Sequence, residues 1–252
     1  MVHEAAAVGY QRRSEAYIAG RPGYHPEVLA AIVASIDPSL GTGLTLELGA
    51  GTGIATTALV DMGLTVRAVE PVAAMRARLS ERLPDVDVRA GSAEEIPASD
   101  ASVAAVVVAQ AFHWFDGALA LNEIARVLDV HGCLITLWNV RDESVPWMAA
   151  YTAIQDTVQG DTPRYRDMRW RRAIESDQRF ELVNELSVDN PHRSNPDHTV
   201  SRFLSTSFIA ALDQPTQTKL EAEVRDLVAG LGETYDFPYT CETQIWKRRP
   251  GQ

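Results

Sequence analysis

Hydrophobic and polar positions follow two different periods along the first 140 residues. Apolar residues fall at the three-to-four spacing of a helix in "IATTALVDM", "AAMRARLSERL" and "ALALNEIARVLDV". Short β-branched apolar runs lie between them, at Leu44 to Leu48, Leu64 to Val69, Val86 to Ala90, Val103 to Ala109 and Cys133 to Trp138. This alternation predicts an α/β fold with a doubly wound, mostly parallel sheet that has helices on both faces.

The flanking segments extend this pattern. "RPGYHPEVLAAIVASI" predicts a turn and a helix before the first strand, and "VPWMAAYTAIQDTV" and "TQTKLEAEVRDLVAGL" predict helices after Asn139. The tail "YDFPYTCETQIWKRR" alternates as an edge strand would. Because no linker interrupts the chain, we expect one domain over residues 1–252, with N-terminal helices in 1–40, a ligand-binding core in 41–140 and a cap with the final strands in 141–252.

The amino-acid composition argues against several classes of binding partner. The 23 basic and 34 acidic residues give a net charge of -11, which opposes binding to a nucleic acid backbone. The chain contains no apolar run near the ~20 residues that span a bilayer, and its start lacks the basic-then-apolar order of a secretory signal, so we expect a cytoplasmic protein without a membrane partner. Two cysteines, Cys133 and Cys241, cannot alone hold a four-ligand zinc site, and no metal is expected.

A glycine-rich loop joins the first predicted strand to the first helix in "LTLELGAGTGIATTAL". Gly49, Gly51 and Gly53 allow positive φ and let a ligand approach the backbone closely, although a plain tight turn would use glycines as well. The dinucleotide fingerprint needs glycine where Ile54 stands, and a phosphate loop needs a lysine that this stretch lacks.

Acidic residues stand near this loop. Glu47 precedes it and opposes a pyrophosphate while favouring a cationic ligand, such as a sulfonium that carries an amino acid. Glu70 ends the second predicted strand, where a carboxylate can accept hydrogen bonds from both hydroxyls of a ribose. The alternative interpretation of Glu70 is a solvated strand end.

Three motifs, "LELGAGTG", "AVEP" and "GSAEEIP", resemble the cofactor motifs of the class I S-adenosylmethionine-dependent methyltransferases. The segments "YIAGRPGYHPEVL", "AQAFHWFD" and "EIARVLDVHGCLITLWNVRD" are similar to the small-molecule branch that includes trans-aconitate methyltransferase-like and ubiquinone-biosynthesis-type enzymes. The resemblance implies a seven-stranded sheet whose last strand is antiparallel, with a helical cap after strand five. It also implies S-adenosylmethionine as the cofactor.

The resemblance assigns roles along the cofactor. It implies that the methionine part lies near Glu47, Gly49 and Gly51, that Gly53 belongs to the same cofactor loop, and that Glu70 holds the ribose. The adenine would lie between Pro71, Met75 and the turn of Ser92, Ala93 and Glu94, and Tyr17 and Arg21 would close over the methionine end. Ala104 and "DVHGC" depart from the family pattern, so the edges of strands four and five are less defined by it.

The stretch "VVVAQAFHWFD" marks a change from core to site. If Val103 to Ala109 is a strand, the residues after it lie at its carboxyl end, where ligands bind in such sheets. Gln110 and Ala111 would line the cofactor, and Phe112, His113 and Trp114 would form a wall of the acceptor pocket. The alternative is that His113 and Trp114 only cap the core.

The remaining acceptor-side candidates are Tyr24, Trp138 and Arg141, of which Arg141 is a candidate to hold an acceptor carboxylate. The arginine-rich segment "RYRDMRWRR" is either a solvated basic face or a cap that attracts an anionic acceptor. We expect an enzyme that methylates a small molecule, with a carboxylate or hydroxyl acceptor favoured. If the acceptor is a hydroxyl, His113 is the candidate general base, since a histidine that titrates near neutrality is suited to take its proton, whereas a carboxylate needs no base. The alternatives are an NAD-dependent oxidoreductase and a non-catalytic S-adenosylmethionine-binding module.

Overall fold

The computed structural model describes residues 22–249, and its main element is a seven-stranded sheet. The strands are β1 Leu44–Leu48, β2 Thr65–Val69, β3 Asp87–Arg89, β4 Val103–Ala109, β5 Leu128–Arg141, β6 Phe180–Asp189, β7 His192–Ser194, β8 Tyr235–Phe237 and β9 Tyr239–Arg248. The sheet order is β3-β2-β1-β4-β5-β9-β6, and β7 pairs with β8 separately. Strands β1 to β5 pair in parallel, whereas β9 is antiparallel to both of its neighbours. The predicted fold class is therefore confirmed.

Nine α-helices connect or cover these strands in the described residues. They are α1 Pro26–Ser35, α2 Ile54–Asp61, α3 Ala73–Arg82, α4 Gly117–Val127, α5 Pro146–Asp156, α6 Arg169–Ser176, α7 Pro196–Leu204, α8 Ser207–Ala210 and α9 Gln214–Val228. Short 3-10 turns lie at Phe112–Trp114, Tyr165–Asp167 and Ala229–Leu231. The helices predicted from "IATTALVDM", "AAMRARLSERL" and "VPWMAAYTAIQDTV" correspond to α2, α3 and α5.

The sheet is covered on both faces because alternate residues of its strands point in opposite directions. In β4, Val106 and Val108 pack in one apolar cluster with residues of α4 and α6. Ala105 and Val107 of the same strand pack on the other side with residues of α1 and α2. All seven residues of β4 are buried, which explains why this strand has a continuous apolar sequence.

A third apolar cluster belongs to the cap that follows β5. It contains Met148 and Tyr151 of α5, Phe203 of α7 and Val224 of α9, and it reaches Tyr239 at the start of β9. The cap therefore has its own small core, and that core contacts the sheet through the first residue of β9.

Two expectations about strand position were wrong. The tail is not an edge strand: β9 lies between β5 and β6, and β6 forms the edge. Trp246 and Ile245 of β9 are buried, since covering layers enclose this strand on both faces. Strand β5 also begins at Leu128, directly after α4, rather than at Cys133, and a register irregularity between Val103 and Ala105 accommodates its early start.

Candidate active site

A cavity opens at the carboxyl ends of β1, β2, β4 and β5, and we call it the strand-end cavity. The predicted cofactor residues that line it are Glu47, Gly49, Gly51, Glu70, Pro71, Met75, Ser92, Ala93, Glu94, Gln110 and Ala111. These residues come from separate segments of the sequence, and the sheet order brings them together because β1 is flanked by β2 and β4. This is the position at which open α/β sheets bind ligands.

The three loop glycines have different functions. All three have positive φ, with values of 67° at Gly49, 58° at Gly51 and 84° at Gly53. A Cβ on Gly49 would lie 2.8 Å from the Cβ of Ala111, and a Cβ on Gly53 would lie 3.0 Å from Cγ of Leu79. A Cβ on Gly51 would meet only the sulfur of Met75, at 3.9 Å. Gly49 and Gly53 thus permit close packing, whereas Gly51 keeps the cavity open.

Glu70 ties the loop to the end of β2. Its Oε2 accepts a hydrogen bond from the backbone N–H of Gly51 at 2.9 Å, and its Oε1 accepts one from the N–H of Val72 at 2.8 Å. The side chain is 4 % exposed, so the interpretation as a solvated strand end is wrong. Burial raises the pKa of Glu70, while the two backbone N–H donors and Arg76 oppose that shift.

Glu47 lies deeper than Glu70, in β1. Its Oε2 accepts a hydrogen bond from the hydroxyl of Thr56 at 2.6 Å, and the residue is 1 % exposed. Burial raises the pKa of Glu47 to about 8, and the Thr56 hydroxyl opposes that effect. The carboxyl group is thus largely protonated at neutral pH until a cationic group approaches it.

Thr52 is a lining residue that the sequence analysis missed. It stands between Gly51 and Gly53, is 2 % exposed and lines the strand-end cavity. Its Oγ1 is buried and has no hydrogen-bond partner in the described part of the chain. Because a buried hydroxyl is costly without a partner, this atom fits a ligand that supplies one.

The end of β4 changes direction sharply at Gln110. This residue has a φ of 58°, in the left-handed region that few non-glycine residues occupy. Its Nε2 donates a hydrogen bond to the backbone oxygen of Asn139, at 3.2 Å, which holds the side chain against β5. The 3-10 turn follows, and it directs Trp114, with Phe115 after it, to the strand-end cavity.

His113 has a different position from the one expected. It lines a second, smaller cavity against α6 rather than the strand-end cavity. Burial, aided by the nearby Arg164 guanidinium, lowers the pKa of His113 to about 3. The expectation of a histidine that titrates near neutrality was therefore wrong, because the site surrounds the imidazole with apolar rings and a cation.

The other predicted acceptor residues divide between cavity and core. Tyr24 and Trp114 line the strand-end cavity. Phe112 and Trp138 are 1 % and 0 % exposed and belong to the apolar cluster beneath α4 and α6, so they are core residues and line no part of that cavity. Arg141 donates to Oε1 of Gln155 at 2.5 Å and to the hydroxyl of Thr152 at 3.4 Å, which turns it toward α5.

Asn139 and Tyr239 complete the cavity at the end that faces the cap, and sequence reasoning missed both. Nδ2 of Asn139 donates to the backbone oxygen of Gly23 at 3.1 Å, and its Oδ1 accepts from Nδ2 of Asn190 at 2.9 Å. These bonds fix the segment that carries Pro22 and Tyr24 over the cavity. Asn139 is a polar residue that directly follows the apolar run of β5, and this change of polarity could have identified it from the sequence.

Two predicted residues, Tyr17 and Arg21, lie outside the described residues. Within residues 22–249, no group of three or more histidine, cysteine, aspartate or glutamate side chains is placed to hold a metal ion. None of the helices described there is both long and apolar enough to cross a membrane.

A family model described as "Methyltransferase domain" matches residues 46–136. These residues include the end of β1, all of β2 to β4 and every predicted cofactor residue in the described chain. An uncharacterized methyltransferase of Mycobacterium tuberculosis is 37% identical over 214 residues, which is 85% of this chain and 83% of the relative. An uncharacterized methyltransferase of Schizosaccharomyces pombe is 37% identical over 224 residues and covers 84% of both chains.

Solved structures share the architecture. A structure described as a type II methyltransferase from Anaeromyxobacter dehalogenans superposes with a TM-score of 0.64 and covers 91% of this chain and 97% of that one. The two chains are 23% identical, so this similarity concerns the fold alone.

Proposed function

We infer that this chain, which belongs to the class I S-adenosylmethionine-dependent methyltransferases, moves a methyl group to a small-molecule acceptor whose reactive group is a carboxylate or a hydroxyl. The observation that carries the proposal is the link from Glu70 to Gly51, beside the unpartnered hydroxyl of Thr52. An acidic strand end, an open glycine and a buried hydroxyl together suit a ligand that combines an amino acid with a ribose.

The lining residues suggest how the cofactor would lie. Glu47, Gly49 and Gly51 would surround the methionine part, and the Glu47 carboxyl would ionise next to its ammonium group. Glu70 would use its remaining lone pairs for the ribose hydroxyls. Pro71 and Met75 would face the adenine, with Ser92, Ala93 and Glu94 on its other side.

The acceptor would enter at the opposite end of the cavity, near Tyr24, Gln110, Trp114, Asn139 and Tyr239. The cofactor supplies a methyl group that its sulfonium has already activated for displacement. The protein then has to align the acceptor with that methyl group and exclude water. The apolar rings of Tyr24, Trp114 and Tyr239 suit both tasks.

Among the two acceptor classes, the structure gives more support to a carboxylate. A hydroxyl needs a base to remove its proton, whereas a carboxylate is already ionised. The pKa of His113, at about 3, makes this residue a weak base, and it does not line the strand-end cavity. We therefore favour a carboxylate acceptor, with a hydroxyl acceptor second.

Binding followed by turnover tests the proposal. Calorimetry is expected to show binding of S-adenosylmethionine and S-adenosylhomocysteine, with NAD and ATP much weaker. A panel of small carboxylic acids and phenols, assayed by release of S-adenosylhomocysteine, then separates an enzyme from a non-catalytic binding module. Preferential binding of NAD would overturn the cofactor assignment in favour of an oxidoreductase.

A further inference from the structure

A second cavity lies between the 3-10 turn Phe112–Trp114 and α6, and we call it the turn cavity. Its volume is about 190 Å³, and its apolar walls include Phe112, Phe115, Pro163 and Trp170. Phe115 also lines the strand-end cavity, so its ring forms part of the partition between the two spaces.

Arg164 is the polar residue that distinguishes this cavity. Its side chain is only 13% exposed, and its guanidinium donates to Oε1 of Gln159 at 3.0 Å and to Oε1 of Gln155 at 3.2 Å. Arg141 donates to the same Gln155 oxygen, so two guanidinium groups converge on one neutral acceptor. Burial, together with the charges of Arg141 and Arg166, lowers the pKa of Arg164 to about 10.

The carboxylate of Asp156, which lies near these arginines, pairs mainly with Arg166. Asp156 lies 2.5 Å from Nη2 of Arg166, whereas its contact with Nη1 of Arg164 is 3.5 Å. Asp167 and Arg169 both line the turn cavity, and Asp167 accepts a hydrogen bond from the backbone N–H of Arg164 at 3.0 Å. The wall of the turn cavity therefore includes two basic residues, Arg164 and Arg169, and one acidic residue, Asp167. A guanidinium forms its strongest hydrogen bonds with a directly bound carboxylate.

His113 provides an independent observation on the opposite wall. Its Nδ1 is buried and has no hydrogen-bond partner in residues 22–249. The ring contacts Trp114 and Trp138, with 4.9 Å and 5.6 Å between centroids, and His113 lines the turn cavity. A neutral imidazole carries one N–H donor and one acceptor nitrogen, so His113 can donate one hydrogen bond to a ligand.

We propose that the turn cavity is a binding site for a small carboxylate with an apolar body, in which Arg164 binds the carboxylate and His113 donates a further hydrogen bond. The planar guanidinium fork matches a carboxylate group, and the rings of Phe112, Phe115 and Trp170 enclose the apolar part. A dry engineered cavity of roughly 150 Å³ holds benzene, so a space of this size admits a molecule such as benzoate. The site goes beyond the proposed function, because none of its polar groups lines the strand-end cavity.

Benzoate is the probe for this site, and benzyl alcohol is its uncharged match. Calorimetric titrations would use the full chain saturated with S-adenosylhomocysteine, which occupies the cofactor part of the strand-end cavity, and the Arg164 variants separate binding in the turn cavity from binding at the acceptor end. Benzoate is expected to bind measurably and benzyl alcohol much more weakly. The Arg164→Gln variant is expected to weaken benzoate binding by about 10-fold or more, since it loses the charged fork. Arg164→Lys keeps the charge without the fork and is expected to bind with intermediate affinity.

The matched control is Arg172→Gln, which removes an exposed arginine of α6 that does not line the cavity. This variant is expected to bind benzoate as the wild type does. Unchanged affinity for S-adenosylhomocysteine in the Arg164 variants would show that they are folded and would leave the cofactor assignment intact. Equal benzoate affinity in wild type and Arg164→Gln, absent binding, or displacement of benzoate by S-adenosylhomocysteine would overturn the proposal.

Discussion

The carboxylate of Glu70 and the backbone N–H of Gly51 are joined by a hydrogen bond of 2.9 Å, so one side chain connects the end of β2 to the loop after β1. This bond shapes the loop after β1. The carboxylate keeps further lone pairs, which under the proposed function would accept hydrogen bonds from the ribose hydroxyls.

Replacing Glu70 with alanine is expected to weaken S-adenosylhomocysteine binding by roughly 1.5 to 3 kcal/mol, because charged hydrogen bonds to the ribose are lost. Calorimetry measures this change directly. Glu81→Ala, at an exposed position of α3, is the control and should bind normally. Wild-type affinity in Glu70→Ala would remove Glu70 from the cofactor site.

Glu47 makes the stability of the ligand-free protein depend on pH. The unfolded chain ionises this group near 4.5, whereas the folded protein holds its pKa at about 8. Stability therefore falls as pH rises from 4.5 to 8, since the unfolded state has already released the proton. Glu47→Gln removes the free-energy cost of ionising this buried carboxyl group in the folded protein. That cost is on the order of 4 to 5 kcal/mol at pH 9 and small near pH 5.

Urea unfolding at pH 5 and pH 9 measures this difference. The free energy of unfolding of Glu47→Gln is expected to exceed that of wild type at pH 9 and to be close to it at pH 5. The same variant should bind S-adenosylmethionine more weakly, because the anion beside the cationic ligand is lost. Parallel stability curves for the two proteins would refute the perturbed titration of Glu47.

The glycines of the loop are expected to respond differently to alanine. Gly53→Ala adds left-handed strain of roughly 1 to 2 kcal/mol and a close contact with the buried Leu79, so its Tm should fall. Gly51→Ala carries similar strain without a close contact, and its methyl group enters the strand-end cavity. We expect Gly51→Ala to lose more cofactor affinity than stability. Thermal melts and calorimetry on the same samples separate the two effects.

The titration of His113 is not expected to contribute to the pH dependence of turnover near neutral pH. With a pKa of about 3, it stays neutral between pH 6 and pH 8. The pH-rate profiles of wild type and His113→Phe are therefore expected to have the same shape, whatever their absolute rates. An inflection near pH 6.5 that disappears in the variant would restore the general-base interpretation.

The acid stability of the same variant gives a second test. The unfolded chain binds a proton on His113 near pH 6.5, whereas the folded protein does so only near pH 3. Wild type therefore loses stability through this group as pH falls from 6.5 toward 3. The free energy of unfolding of His113→Phe minus that of wild type is expected to be larger at pH 4.5 than at pH 7.5. Urea unfolding at the two pH values measures this difference.

Much of the lining of the strand-end cavity could be predicted because its signals are local in the sequence. Gly49 and Glu70 each stand directly after a strand, Gly51 lies two residues beyond Gly49, and parallel strands place their carboxyl ends together. The order of strands and loops therefore fixes which residues meet, without knowledge of side-chain packing. Thr52 was missed because an unpartnered hydroxyl is visible only in three dimensions.

The acceptor side depends on details that sequence periodicity does not contain. Within the turn after β4, Trp114 faces the strand-end cavity while Phe112 and His113 face α6. The same ambiguity affects β5, where Trp138 points into the core and its neighbour Asn139 lines the cavity. Successive side chains of a strand point to opposite faces of the sheet. An error of one position in the predicted register therefore exchanges core residues with site residues.

Tyr239 was missed for a different reason. It follows Asn139 by one hundred positions, and it reaches the cavity only because β9 inserts between β5 and β6. Pairing of this kind is non-local, and the alternating pattern of the tail was equally compatible with an edge position.

The insertion of β9 also has a consequence for the order of events during synthesis. Strand β6 leaves the ribosome before β9, yet its only strand partner in the described sheet is β9. Until residues 239–248 emerge, β5 and β6 both present unpaired backbone groups to the surroundings, which is a condition that favours aggregation. A nascent chain halted before β9 can thus carry the whole glycine loop while its sheet still ends at β5 and β6 has no strand to pair with.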